Sequence, residues 1–219
     1  MLSKDFLTKQ IPVLKPEDSG GFSLSQMEDC KLKHLPVVSD GKYIFLVSEK
    51  DLFLMENIDN PIENISIYAP LVSDKASLLE VLRVMSKENL TVLPVVSEDG
   101  NYLGAVTLSI LVEKLAEATQ AASNGALIAI EMNSQDYDLS QLSHLIESNN
   151  AKILSLLSYP VLETSKLTVL VRIDLEDASP VLRSLERFNY RVLYYAQKEG
   201  LADDIMHRRL DELMYYLEM

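Results

Sequence analysis

The residues best suited to chemistry in this chain are a hydroxyl and a carboxylate three positions apart, Ser48-Glu49-Lys50-Asp51. At the start of a helix such a pair satisfies the first free backbone N–H groups and favours the positive end of the helix dipole. The same pair also offers a fixed acceptor to a ligand. The corresponding stretch Thr107-Leu108-Ser109-Ile110 keeps the hydroxyl and replaces the carboxylate with an apolar side chain. Cys30 and His34 form a superficial nucleophile–base pair four residues apart, with no third group to orient the base. His34, His144 and His207 are dispersed, without metal-ligand spacing. No Gly-rich phosphate loop is present. No nucleophile, base and orienter occur in recognisable order, so a catalyst is the least expected class and no metal is expected.

The elements that must position these residues come in duplicate. Ile11-Pro12-Val13-Leu14 returns as Ala69-Pro70-Leu71-Val72, Ser19 as Ser77, and Leu35-Pro36-Val37-Val38-Ser39 as Leu93-Pro94-Val95-Val96-Ser97, all at one spacing. After one extra residue near Glu98 the match resumes with Gly41 and Gly100, Tyr43 and Tyr102, and Val47 and Val106. Two copies of one small unit are therefore expected to stack, neither burying its apolar face alone. Each copy reads as a short extended stretch, a polar turn, a helix, two strands around Asp-Gly, and a closing helix, Glu49–Met55 or Leu108–Ala118. Ser77 reads as an N-cap with Glu80 as its capping-box partner. Gly20-Gly21 at the matching place in the first copy predicts a shorter or looser helix there.

The stretch 119–125 is small and polar and reads as a linker. Strands over 126–132, 152–158, 167–174 and 191–196, with helices over 139–148 and 179–188, give the order βαββαβ of a ferredoxin-like sandwich over 126–198. Residues 199–219 place Ile205, Met206, Leu210, Leu213, Met214 and Leu217 on one side of an amphipathic helix that must pack on something.

Composition sets the class. The chain has 219 residues, 47% of them hydrophobic, and a net charge of -13 from 20 basic and 33 acidic residues. Such a surface repels nucleic acid and anionic membranes. A single cysteine fits a reducing, cytoplasmic setting. The start reads as lacking a signal peptide, and no stretch approaches the roughly 20 apolar residues of a membrane span.

With Leu93-Pro94-Val95-Val96, Asp99-Gly100 and Leu103-Gly104-Ala105-Val106-Thr107, the repeated unit resembles a tandem CBS-domain pair, a Bateman module, over residues 1–118 (copies at about 6–56 and 61–118). The βαββαβ half resembles an ACT-like domain, and the combination resembles acetoin-utilisation-type proteins. The fold class is then α+β. The resemblance implies a non-catalytic regulatory protein that senses an adenine nucleotide or related adenosyl ligand: AMP, ADP, ATP or S-adenosylmethionine. Ribose contact would fall to Asp51, phosphate contact to Ser48, and further contacts to Ile11, Pro12, Pro36 and Thr107. Phe45, where Gly104 stands in the second copy, could fill the adenine slot. The resemblance also implies a homodimer. The alternatives are a ligand-free scaffold for a protein partner or an amino-acid sensor in the ACT-like half. Ligand-binding members use a glycine-containing loop after the first strand; here that loop, 133–138, has none.

Overall fold

A computed structural model describes residues 1–162 and 164–197, in two compact units divided after Leu115. The first unit holds both copies. Copy one comprises α1 (Gly20–Cys30), β1 (His34–Ser39), β2 (Lys42–Ser48) and α2 (Glu49–Phe53). Copy two comprises β3 (Val72–Ser73), α3 (Leu78–Glu88), β4 (Val92–Val96), β5 (Tyr102–Thr107) and α4 (Leu108–Ala118). Ser19 Oγ accepts the Phe22 N–H and Ser77 Oγ the Glu80 N–H, both at 3.2 Å, so each first helix starts on a capping serine. The helices end on left-handed residues, Lys31 and Asn89. Both hairpins are antiparallel and share a register shift, at Val37/Val38 and at Val95/Val96.

α1 is not shortened by its two glycines. It has 11 residues, as does α3. A side chain at Gly20 would lie 2.5 Å from Met55 Sδ, so the glycine permits close packing of the chain after α2. The Gly20 and Gly21 N–H groups donate to Asn60 and Ile58 carbonyls, which satisfies two of the N–H groups that the first turn leaves without intrahelical acceptors. α2 in turn is shorter than the sequence suggests, ending at Phe53.

The copies interlock. Thr8, ahead of copy one, exchanges backbone hydrogen bonds of 2.8 and 2.9 Å with Ala105 on β5 of copy two. Tyr68, ahead of copy two, accepts the Leu46 N–H of β2 in copy one at 3.0 Å. Leu46 and Phe6 are buried in the core of copy two with Val81, Met85, Leu93 and Val106. The core of copy one gathers Leu14, Met27, Leu35, Val37, Phe45, Val47, Leu52 and Ile62. Gly104 is required where the crossing chain meets β5: its φ is +146°, and a Cβ there would stand 2.7 Å from the Thr8 carbonyl oxygen.

The second unit runs β6 (Leu127–Asn133), α5 (Leu139–Glu147), β7 (Ile153–Pro160), β8 (Lys166–Ile173), α6 (Ser179–Arg187) and β9 (Arg191–Ala196). Its sheet has the order β7-β8-β6-β9 and is antiparallel throughout, the ferredoxin-like arrangement. Asp138 Oδ1 caps α5 by accepting the Ser140 and Gln141 N–H groups. Leu142, Leu145 and Ile146 of α5 and Val181 and Leu185 of α6 pack on Ile128, Ile130, Val169 and Val171, so both helices cover one face of the sheet. The C-terminal helix expected over 199–219 lies outside the described residues.

Candidate functional site

β2 ends and α2 begins at Ser48, and the local hydrogen bonds fix Asp51 beside it. Ser48 Oγ accepts the Asp51 N–H at 3.1 Å. In return Asp51 Oδ2 accepts both the Ser48 N–H at 3.0 Å and the Ser48 hydroxyl at 2.7 Å. This reciprocal cap holds the half-buried carboxylate in one orientation and leaves its second oxygen, Oδ1, without a hydrogen bond among the described residues. The Ser48 hydroxyl hydrogen is committed to Asp51, so Ser48 orients the carboxylate rather than presenting a donor outward.

Both copies contribute to this end of β2. His34 lies opposite Ser48 in the β1–β2 register. Its Nδ1 accepts the Thr91 N–H of copy two at 3.3 Å and lies 3.0 Å from the Thr91 hydroxyl. Burial lowers the His34 pKa below its ordinary value, against an opposing pull from Asp51, so the imidazole is neutral at neutral pH. It offers a donor at Nε2 and no charge. Lys50, on the exposed side of α2, is a cation on the same element.

The second copy is built for packing at the matching place. Thr107 is 7% exposed, and its hydroxyl lies 2.9 Å from the Ser109 hydroxyl and accepts the Ile110 N–H at 3.3 Å. Ile110 packs against the copy-two core, where a carboxylate would be desolvated without a partner. Ile11 and Pro12 follow Thr8, which pairs with Ala105 two residues before Thr107, whereas the segment paired two residues before Ser48 is the one at Tyr68. The backbone thus groups Ile11 and Pro12 with Thr107, and Ser48 with Asp51. Pro36 is buried in β1 with its carbonyl accepting the Leu14 N–H. The ring of Phe45 is 3% exposed in the copy-one core.

Sequence reasoning missed Thr91 and Tyr68. Thr91 sits where the first copy has Lys33, so the repeat itself masked it, and Tyr68 is set by a crossing no periodicity reports. The Cys30 thiol donates to the Gln26 carbonyl at 2.9 Å, and burial raises its pKa, so both disfavour the thiolate. Among the described residues no three His, Cys, Asp or Glu side chains cluster as metal ligands. No helix among them is long and apolar enough to cross a membrane.

The second unit carries a depression of about 360 Å³ at the 133–138 loop, bordered by Glu131, Asn133, Asp136, Gln141, Lys166 and Arg191. Lys166 donates to Glu131 Oε1 at 2.8 Å and Arg191 pairs with the same oxygen. The Lys166 hydrogen bond leads the effects that hold the Glu131 pKa below the usual carboxylate value. Only strand register joins these three residues, so their sequence positions gave no signal.

Two interlocked strand–helix copies, with a capped carboxylate where β2 meets α2, define a tandem pair of small α+β domains. Residues 63–117 match the family model of the CBS domain. That match covers the second copy, and the repeat extends the same unit to the first. A solved CBS domain pair/ACT domain protein from Thermotoga maritima shares the fold at 24% identity and a TM-score of 0.50, over 54% of this chain and 98% of that one. The inosine-5'-monophosphate dehydrogenase of Korarchaeum cryptofilum is 27% identical over 106 residues, 48% of this chain and 22% of that enzyme. An uncharacterized protein of Methanocaldococcus jannaschii is 27% identical over 107 residues, 48% of this chain and 25% of that protein. The matches therefore span a quarter or less of those curated relatives.

Proposed function

We propose that this chain is a non-catalytic regulatory protein whose CBS pair senses an adenine nucleotide or related adenosyl ligand at Ser48 and Asp51, one site per chain. The observation that carries this reading is the Asp51 carboxylate: one oxygen is engaged in the helix cap, and the other is oriented and without a partner. Two lone pairs on Oδ1 suit the paired hydroxyls of a ribose, and charge-assisted bonds of this kind are about twice as strong as neutral ones. Tyr68 and Thr91 border the same junction, and Ser48 acts by holding the carboxylate. Ile11 and Pro12 run with Thr107 of the second copy, where Ile110 removes the ribose acceptor, and Pro36 lies in β1 of the first copy.

The second unit is read as ACT-like, a dimerising domain. Large apolar side chains exposed on all four helices of the first unit, Phe22, Phe53, Leu79 and Val112 among them, favour a homodimer through the CBS pair as well. An amino-acid sensor in the second unit has one observation behind it, the depression beside Glu131. The ligand-free scaffold draws support from Ile110 and from the committed Ser48 hydroxyl.

The test is the melting temperature of the full chain with AMP, ADP, ATP, S-adenosylmethionine and a panel of amino acids. A bound ligand at about 100 times its dissociation constant adds roughly 2.7 kcal/mol. A shift with one adenosyl compound is expected. A shift with amino acids alone moves the function to the second unit, and a flat panel leaves the scaffold.

A further inference from the structure

The two copies depart from the repeat where they meet. Lys33 stands where copy two has Thr91, and His34 where copy two has Val92. The backbones of Lys33 and Thr91 serve the closing helices alike. The Lys33 carbonyl accepts the Glu49 N–H that opens α2, at 2.9 Å, and the Thr91 carbonyl accepts the Leu108 N–H that opens α4, at 3.0 Å. Across the junction the Lys33 N–H donates to Thr91 Oγ1 at 3.2 Å, and the Thr91 N–H donates to His34 Nδ1 at 3.3 Å. The Val92 side chain has no polar atom to return that contact. The imidazole bond is therefore made once, on the side of the copy that carries Asp51. Hydrogen bonds and backbone run without a break from the start of α2, through this joint, to the start of α4.

The acceptor in the joint is a titratable nitrogen. Nδ1 takes the Thr91 N–H through its lone pair, and a proton there fills it. The imidazolium then turns an N–H toward the Thr91 N–H, which loses its acceptor. Among the described residues two charged groups act on the ring. Asp51 of α2 favours the imidazolium, and Lys33, its neighbour in the chain, opposes it; the copy-two residue against the ring, Thr91, is uncharged. Burial outweighs the pull of Asp51, so the ring is neutral and the joint closed at neutral pH. The geometry points to a proton-sensitive joint: His34 and Thr91 hold the copies together only while the imidazole is unprotonated, and, resting on the reading that Asp51 binds the ribose, ligand at Asp51 and a proton on His34 exclude one another. The reason is competition. An imidazolium beside Asp51 draws on the same carboxylate that the ribose hydroxyls need, so binding favours the neutral ring and the closed joint.

The test uses the full chain and adenosine, which does not itself titrate near neutral pH. Amide protection of Thr91, taken against its intrinsic exchange rate at each pH, falls as His34 titrates between about pH 8 and about pH 5. It stays level in His34→Asn, whose side-chain oxygen accepts without titrating. Protection at Val37 and Val106, both buried, checks that the variant is folded, and His34→Gln replaces it if that is lost. By calorimetry the wild-type affinity for adenosine falls about threefold or more over the same range, and that of His34→Asn does not. Adenosine at about pH 5 restores the protection of Thr91, which a histidine with a merely structural role would not allow. Thr91 protection indifferent to the titration of His34 overturns the joint, with or without ligand. The same pH dependence of affinity in both proteins overturns the exclusion and leaves the Asp51 reading standing, whereas adenosine binding at no pH overturns both.

Discussion

Gly104 is where the interlock of the two copies can be tested with one methyl group. In Gly104→Ala the new Cβ would stand 2.7 Å from both the Thr8 carbonyl oxygen and Leu7 Cδ1, on a residue whose φ is +146°. Backbone cannot yield as a side-chain tip can, so the paired Thr8–Ala105 hydrogen bonds must lengthen or break. Strain at such a φ costs about 1–3 kcal/mol, and each lost hydrogen bond about 0.5–1.5 kcal/mol net. A loss of about 3 kcal/mol is expected, and at roughly 4–8 °C per kcal/mol the melting of the first unit falls by well over 10 °C. Gly100→Ala is the control. Its φ is +79°, but nothing lies within 4 Å of its Cβ, so only backbone strain of about 1–2 kcal/mol applies. Denaturant unfolding gives the two values, and amide exchange at Thr8 and Ala105 localises the damage to the crossing in Gly104→Ala alone. Equal losses in the two variants, or unchanged exchange at Thr8, would refute the reasoning.

Three further outcomes are expected. Tyr43→Phe removes the hydroxyl that donates to the Pro70 carbonyl at 3.0 Å and should cost about 1 kcal/mol in denaturant unfolding. Tyr102→Phe, at the matching place in copy two, removes a buried hydroxyl that has no partner and should be neutral or stabilising, so equal losses in the two would contradict their environments. His34 has a folded pKa below its unfolded value of about 6.5, so the unfolded chain binds the proton more readily. Its stability contribution is then complete above that value and declines as pH falls through the folded pKa. A urea series from neutral pH downward should show this decline in the first unit and a weaker one in His34→Asn. Iodoacetamide should alkylate Cys30 more slowly in the folded protein than in urea at the same pH, as its raised pKa and its bond to Gln26 require.

The repeat made most of the first unit legible. Ser77 as a cap, the Asp-Gly hairpins and α4 all follow from local chemistry that the sequence displays, although Glu80 gives Ser77 only its N–H and does not close the expected capping box. The βαββαβ order was equally plain, because each strand and helix of the second unit carries its own periodicity. What stayed hidden depends on contacts distant in sequence. The glycine pair that opens α1 reads as weakness until Met55 and Ile58 are seen against it, and no local pattern shows that Leu46 of β2 is buried in the copy-two core. For the site, the Ser48 and Asp51 spacing was enough to bring the pair together and to foresee its capping role. It could not tell that Ser48 turns its hydrogen toward Asp51, nor that Ile11 and Pro12 run with Thr107, because both follow from the crossing segments.

The central claim rests on one carboxylate oxygen, and Asp51→Asn addresses that oxygen while keeping an acceptor for the cap. Calorimetric titration of the wild-type chain and of Asp51→Asn with the adenosyl compound that shifts the melting temperature is the most direct measurement. Loss of one charge-assisted bond of about 1.5–3 kcal/mol weakens binding at least tenfold, and the account predicts such a loss with the variant's melting temperature little changed in the absence of ligand. Equal affinity in wild type and Asp51→Asn would contradict it.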